Sequence, residues 1–399
     1  MLIILFPYKF SNFFYKKYQV KELKKKFKKK LEVHDVSNIV FKKKSKLVKS
    51  KRHKSVLVFS KIKEWENHLK KIIKKEKKIF VINLLFLSSF RSFYLHYLLF
   101  KYKLSIIKIN SPEVSAPQFK RSILLKSFIF LKLLLLNPLR LIFIVKDMIL
   151  KKLIKIFKFH ELYVTICGFK SKKFLYPLEI NAKKIKFINF HSSDYANYLI
   201  NKSKIDLNKK NYIVFLDIKA PAFSGDDILL NNEIKYNIEN WYEDLNKFLK
   251  RIEKIFKSKV IIIPHPSVRK LKNIYYDKQF LVAKDPDATN KLIPNSKFVI
   301  ANGATTAISY CVIYNKPVVF IYCDQVIKKN PTMLFETQTL RKILSSSIVN
   351  INKKLFEKDF ILNISKKKYS NYKFNFLTSK KIKNISNTEI LKNLVSNNY

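Results

Sequence analysis

The chain has 399 residues, 48% of them hydrophobic and 14% aromatic, with 81 Lys and Arg against 28 Asp and Glu for a formal net charge of +53. That hydrophobic content excludes a disordered chain, and the length suffices for two domains with separate cores. The charge points to a polyanionic partner, although a chain rich in Lys, Asn, Ile, Phe and Tyr with only three glycines is also what an AT-rich coding sequence produces.

The opening MLIILFPYKF lacks a basic leader region and reads as a first buried strand. Strand-like and helical runs then alternate: LIILFP (2–7), a basic helix near 15–30, SVLVFS (55–60), a helix near 63–76, KIFVINLLF (78–86), a helix near 90–101 and SIIKIN (105–110). Such alternation predicts a parallel sheet with helices on both faces. The basic runs KELKKKFKKK (21–30) and KKKSKLVKSKRHK (42–54) carry no RNA-recognition, zinc-finger or helix-turn-helix signature, so nucleic acid is disfavoured and an anionic membrane surface remains a candidate partner. The apolar segment 123–157 is interrupted by Lys126, Lys132, Pro138, Arg140 and Lys146, too often for a spanning helix. It fits either helices packed on their own domain or an interfacial amphipathic pair.

ELYVTICGF (161–169) ends near Gly168, and a strand at 185–191 leads into HSSDYANYLINK, a helix entry with Asp194 near its start. The polar stretch 201–211 is the linker candidate, which divides the chain into an N-terminal unit over 1–204, a C-terminal unit over 205–365 and a helical tail over 366–399. The second unit repeats the alternation: YIVFLD (212–217), a long loop with Gly225, a helix near 238–256, VIIIP (260–264), QFLVAK (279–284), a short helix near 288–295, KFVIA (297–301), a helix near 305–314 and PVVFIY (317–322). The expected fold class is α/β, with two Rossmann-like domains facing a cleft and ligands bound beyond the carboxyl ends of the strands. Cys167, Cys311 and Cys323 lie in apolar runs without metal-site spacing, which predicts buried thiols and a cytoplasmic setting.

Each glycine follows a strand. In NGATT (302–306), Gly303 lets a ligand approach the backbone, while Asn302, Ala304, Thr305 and Thr306 form a strand-to-helix turn suited to a phosphate. No P-loop or dinucleotide fingerprint is present, so anion binding is the inference that stands. In PHPSVRK (264–270), Pro264 and Pro266 flank His265 at a strand exit, where it could donate to a phosphate or a leaving group, with Ser267, Arg269 and Lys270 adding donors. Asp217, Asp226 and Asp227 are candidate bases for an acceptor hydroxyl, or they tie down a loop and cap a helix. Gly168 is a further candidate for close ligand approach.

YIVFLD, the HPS after VIIIP, the stretch DATNKLIPNSKFVIANGATTAISYCVIYNKPVVFI and the earlier HSSDYANYL together resemble bacterial surface-carbohydrate biosynthesis proteins of the GT-B fold, over roughly residues 160–325. In such polysialyltransferase-like and glycerophosphotransferase-like enzymes a His-Pro pair and a hydroxyl-rich turn hold the donor phosphates. The resemblance therefore implies that role for His265, Pro266 and Gly303 to Thr306, although Asn302 and Ala304 stand where these families often carry His or Ser. It implies a glycosyltransferase of capsule or lipopolysaccharide assembly that uses a nucleotide sugar as substrate, a saccharide or lipid-linked acceptor, no further cofactor and no obligatory metal. The setting would be cytoplasmic, at the inner face of the plasma membrane. A nucleotide-sugar epimerase, or a non-catalytic membrane- or RNA-associated protein with a degenerate site, are the alternatives.

Overall fold

The computed structural model describes residues 1–42, 51–87, 89–109, 140–170, 183–202, 211–217, 236–265, 275–285, 287–329, 331–353, 359–382 and 384–396. They form two parallel sheets. The first contains β1 (Leu2–Phe6), β2 (Leu31–Asp35), β3 (Leu57–Val58), β4 (Phe80–Asn83), β5 (Ser105–Lys108), β6 (Glu161–Ile166) and β7 (Ile185–Asn189), in the order β3-β2-β1-β4-β5-β6-β7. The second contains β8 (Tyr212–Asp217), β9 (Lys259–Pro264), β10 (Leu281–Val282), β11 (Val299–Ala301), β12 (Val318–Tyr322) and β13 (Ser347–Asn350), in the order β10-β9-β8-β11-β12-β13. Both sheets thus reverse direction once, between β1 and β4 and between β8 and β11. A crevice opens at such a switch point because the flanking connections leave on opposite faces.

Parallel strands covered on both faces must be apolar throughout, and β1 and β8 are buried along their whole length. Their side chains alternate between two cores. Ile3 and Leu5 join one core of the first sheet, and Leu2, Ile4 and Phe6 the other. In the second sheet Ile213 and Phe215 face Trp241, Leu245 and Phe248 of the helix Ile238–Phe256, while Val214 and Leu216 face Ile308 and Tyr310. Cys167, Cys311 and Cys323 are buried and form no disulfide with one another, as their apolar surroundings predict.

Several expected elements are shifted. The basic helix near 15–30 is two helices, Asn12–Lys17 and Val20–Phe27, separated by Gln19 in the left-handed conformation (φ 51°). β2, with sequence LEVHD, interrupts what the pattern reads as connecting chain. SVLVFS contributes only Leu57–Val58. With so few glycines, left-handed turns fall to other residues, and Lys257 ends the helix Ile238–Phe256 at φ 47° where glycine is usual.

The C-terminal segment crosses between the two sheets. Tyr369, Tyr372, Phe376 and Leu377 pack into the core beside Val214, whereas Leu391 and Val395 of the helix Asn387–Ser396 pack beside Leu2, Ile4 and Leu23. The crossing is pinned at His191, just beyond β7. Its backbone N–H donates to Asn387 Oδ1 and its carbonyl accepts from Asn387 Nδ2, both at 2.9 Å. The ring is held by the Thr378 hydroxyl at 2.7 Å and the Ile385 carbonyl at 2.8 Å.

Candidate functional site

The register of the second sheet brings three strand ends together. Asp217 is paired with Pro264, so His265 emerges beside it, and β11 pairs Ala301 with Leu216, which sets Asn302 against Asp217 on the other side. Asp217, His265 and the turn Asn302–Thr306 therefore meet around the switch point between β8 and β11. The candidates Asp226 and Asp227 with Gly225, and Pro266, Ser267, Arg269 and Lys270, lie outside the described residues.

Asp217 is buried and its carboxylate accepts from three donors. Asn302 Nδ2 lies 2.8 Å from Oδ1, Tyr242 Oη lies 3.2 Å from Oδ2, and the Tyr276 hydroxyl also bonds Oδ2. Burial raises the carboxyl above its ordinary range, and the bonds from Tyr276, Asn302 and Tyr242 oppose that shift. Burial also pushes both tyrosines well up, with the Asp217 charge adding to it, so they remain hydroxyl donors. A carboxylate engaged in this way suits holding more than proton transfer. It fixes Asn302, itself buried, and through Asn302 the position of Gly303.

Gly303 is buried at φ 157°, on the border of extended backbone, and Ala304, Thr305 and Thr306 are half-buried. The turn tightens before the helix begins. Ile308 and Ser309 donate their N–H groups to the carbonyls of Thr305 and Thr306, and Thr305 Oγ1 accepts from the Ala307 N–H at 3.3 Å. The regular helix is Ile308–Ile313, shorter than the pattern over 305–314 predicts. His265 is half-buried at the end of β9.

Gly168 has a packing reason of its own. A Cβ there would lie 2.4 Å from the carbonyl carbon of Asn375 and 2.6 Å from the nitrogen of Phe376, so only glycine lets the C-terminal segment cross this loop.

Sequence reasoning missed Tyr242 and Tyr276, which reach Asp217 from 25 and 59 residues away. It also missed a cluster on the first sheet. Glu32 Oε2 lies 2.8 Å from Nε2 of both His34 and His68, and among the described residues this is the one group of three His, Cys, Asp or Glu side chains close enough to share a metal ion. The surroundings of His34 argue against a metal. Trp65 Nε1–H, which can only donate, points at His34 Nδ1 from 3.1 Å, so the neutral ring carries its proton on Nε2 and gives it to Glu32. Ligation would need that lone pair free.

No family model matches the chain, and no curated protein matches its sequence. Among solved structures, the wall teichoic acid polymerase TagF aligns with 100% of this chain and 89% of its own, at a TM-score of 0.53 and 10% identity. The fold is GT-B-like. MurG of Acinetobacter baumannii aligns over 99% of each chain at 0.44 and 7% identity. UDP-N-acetylglucosamine 2-epimerase from Rickettsia bellii aligns over 100% of this chain and 94% of its own at 0.40 and 12%. In a GT-B-like fold the strand ends around Asp217 face the groove between the two sheets.

Proposed function

We propose that the chain is a glycosyltransferase that takes a nucleotide-activated sugar and adds it to a saccharide or lipid-linked acceptor in bacterial surface polysaccharide biosynthesis. The observation that carries the reading is the meeting of Asp217, His265 and Asn302–Thr306 at one switch point. In this reading Gly303 to Thr306 receive the diphosphate, and His265 hydrogen-bonds the phosphate next to the sugar. The bond between the anomeric carbon and the diphosphate oxygen breaks, and the acceptor oxygen bonds the anomeric carbon. The acceptor proton passes to a carboxylate, for which Asp226 or Asp227 is proposed from the sequence. His265 and Arg269 offset the charge of the departing nucleotide, so activity should survive chelation of divalent metals.

The surface-polysaccharide part rests on the sequence resemblance, and an architecture shared with a wall teichoic acid polymerase is compatible with it. Among the described residues no helix is long and apolar enough to cross a membrane. Val145, Met148 and Ile149 are exposed along one stripe of the helix Arg140–Ile154, with Ile156 exposed just beyond and Lys152 and Lys155 between them. This composition supports contact with an anionic leaflet, where each lysine adds about 1 kcal/mol.

The test is a thermal-shift panel of UDP-, GDP-, CMP- and CDP-activated compounds. A donor at a hundred times its Kd should stabilise the fold by about 2.7 kcal/mol. No shift from any of them would contradict the proposal.

A further inference from the structure

Seven of the 81 basic residues are arginine, so a coding bias that fills the chain with lysine does not account for them. Two of the seven hold the same short helix, Ser37–Phe41, which follows β2 at the carboxyl edge of the first sheet. Arg52 donates Nη2 to Ser37 Oγ at 3.1 Å and to Asn38 Oδ1 at 2.8 Å, and Nε to Asp35 Oδ2 at 2.9 Å. Arg91 reaches the Ile39 carbonyl with Nη1 at 3.4 Å. The short helix lies on the face of the sheet that Ile39 and Leu95 cover, opposite the helix Asn387–Ser396. This edge looks towards the second sheet's part of the chain, since Lys16, on the helix that follows β1, pairs with Asp287 at 3.1 Å.

The carboxylates here are engaged. Asp35 is fully buried and accepts from the Phe10 N–H, the Ser37 N–H and hydroxyl, and Arg52. Glu64, beyond Ser60, accepts from the N–H groups of Ser60 and Lys61. The cations keep donors to give. Nη1 of Arg52 is left over from these bonds, on a side chain that is 29% exposed. Arg91 is half-buried and has no carboxylate at ion-pair distance among the described residues. Lys9 stands close to Arg52: burial first and then the guanidinium push its ammonium below the usual range, with Asp35 pulling the other way. The start of the helix Phe90–Lys101 adds its positive dipole end beside Arg91. An anion would relieve the crowding and take up the unused guanidinium donors.

Three half-buried rings adjoin the arginines. Tyr8 stacks on Phe41, the last residue of the short helix, at 5.4 Å and 22°, and Phe86 leans on the two at 5.4 and 5.9 Å. A pyranose has an apolar C–H face that such rings can cover. We infer that this edge binds a sugar carrying a phosphate ester, with the phosphate received by Arg52 Nη1, Arg91 and Lys9 and the sugar ring against Tyr8, Phe41 and Phe86. The binding stands on these side chains; that the phosphorylated sugar is the acceptor rests on the transferase reading.

Glucose 1-phosphate, N-acetylglucosamine 1-phosphate, their decyl phosphodiesters, inorganic phosphate and glucose are titrated by calorimetry against the full chain without nucleotide. Salt is held at about 0.15 M, which screens exposed charges beyond about 8 Å. At least one sugar phosphate should bind about tenfold or more tightly than inorganic phosphate, and glucose should not bind. Arg52→Lys keeps a cation on Asp35 and removes Nη1; Arg91→Gln removes the second fork and leaves Asp35 paired. Each should weaken the sugar phosphate about tenfold, the equivalent of one hydrogen bond to a charged group, with the melting temperature retained. Phe86→Ala should erase the preference over inorganic phosphate. Gly303→Val, and Lys247→Gln on an exposed helix face, should bind as the unaltered chain does. Equal loss in Lys247→Gln would mean general attraction to a basic surface, and loss confined to Gly303→Val would put the phosphate in the other turn; either overturns the inference. Undiminished binding in folded Arg91→Gln also overturns it, even where Arg52→Lys fails to fold. Tighter binding of a decyl diester assigns a lipid-linked source and weaker binding a free one, and both keep the inference. Nucleotide-sugar binding without sugar-phosphate binding defeats this inference alone, and the reverse defeats the transferase reading alone.

Discussion

The two sheets share one strand order and differ in what stands at the reversal. At the β8–β11 switch point the strand ends carry Asp217, Asn302 and, one strand over, His265, and the carboxylate is engaged by three donors. At the β1–β4 switch point Ile4 and Ile82 face a crevice closed by the helix Asn387–Ser396. Topology creates the crevice twice, and the residues at the strand ends decide its chemistry: a polar, prearranged turn on one side, an apolar recess on the other.

Breaking the polar side should cost most. Asp217→Ala leaves Tyr242, Tyr276 and Asn302 with buried donors and no acceptor, so unfolding by denaturant should show a loss of about 3 kcal/mol or more, with Asp217→Asn losing less. The junction between the sheets comes next. Gly168→Ala drives a methyl into the backbone at Asn375 and Phe376, and overpacking of this kind costs about 2 kcal/mol. Hydrogen exchange should quicken in 373–396 while nucleotide affinity holds. His265→Ala should weaken donor binding about tenfold, about 1.4 kcal/mol, with the melting temperature retained. A large fall in melting temperature with affinity kept would make that histidine structural.

The Glu32 cluster shows itself through pH. Burial lowers the His34 pKa below 6.5, so the unfolded chain takes up a proton there that the folded chain resists, and stability falls as pH drops below about 6.5. The hydrogen bond from His34 first, and that from His68, pull Glu32 down to about 2 against its burial. Its stabilising share is fully present above about 4.5 and is lost as pH falls towards about 2. Equilibrium unfolding across this range should show both limbs, and Glu32→Gln should flatten the lower one.

The second sheet was legible because its strands are continuous apolar runs. YIVFLD and VIIIP read as buried parallel strands, and the helix Ile238–Phe256 falls where its amphipathic pattern puts it. β2 was hidden by its own composition. Glu32, His34 and Asp35 look like loop residues until Trp65, His68 and Arg52 arrive from 17 to 36 residues away to satisfy them. β13 and the helix Pro331–Leu344 also went unread. The C-terminal segment reads as helical, but its course back to the first sheet depends on the Gly168 crossing and the His191–Asn387 pair, contacts that no local pattern encodes. At the candidate site, the strand-end positions of Asp217, His265 and Gly303 followed from chain order, whereas the tyrosines that hold Asp217 did not.

Nucleotide-sugar affinity and denaturant unfolding, measured together on Gly303→Val and Gly303→Ala, test the β8–β11 site most directly. If the turn receives the diphosphate, valine should fill the approach to the backbone and abolish binding in a chain that still folds, and alanine should show a milder loss. Undiminished affinity in folded Gly303→Val would contradict the account.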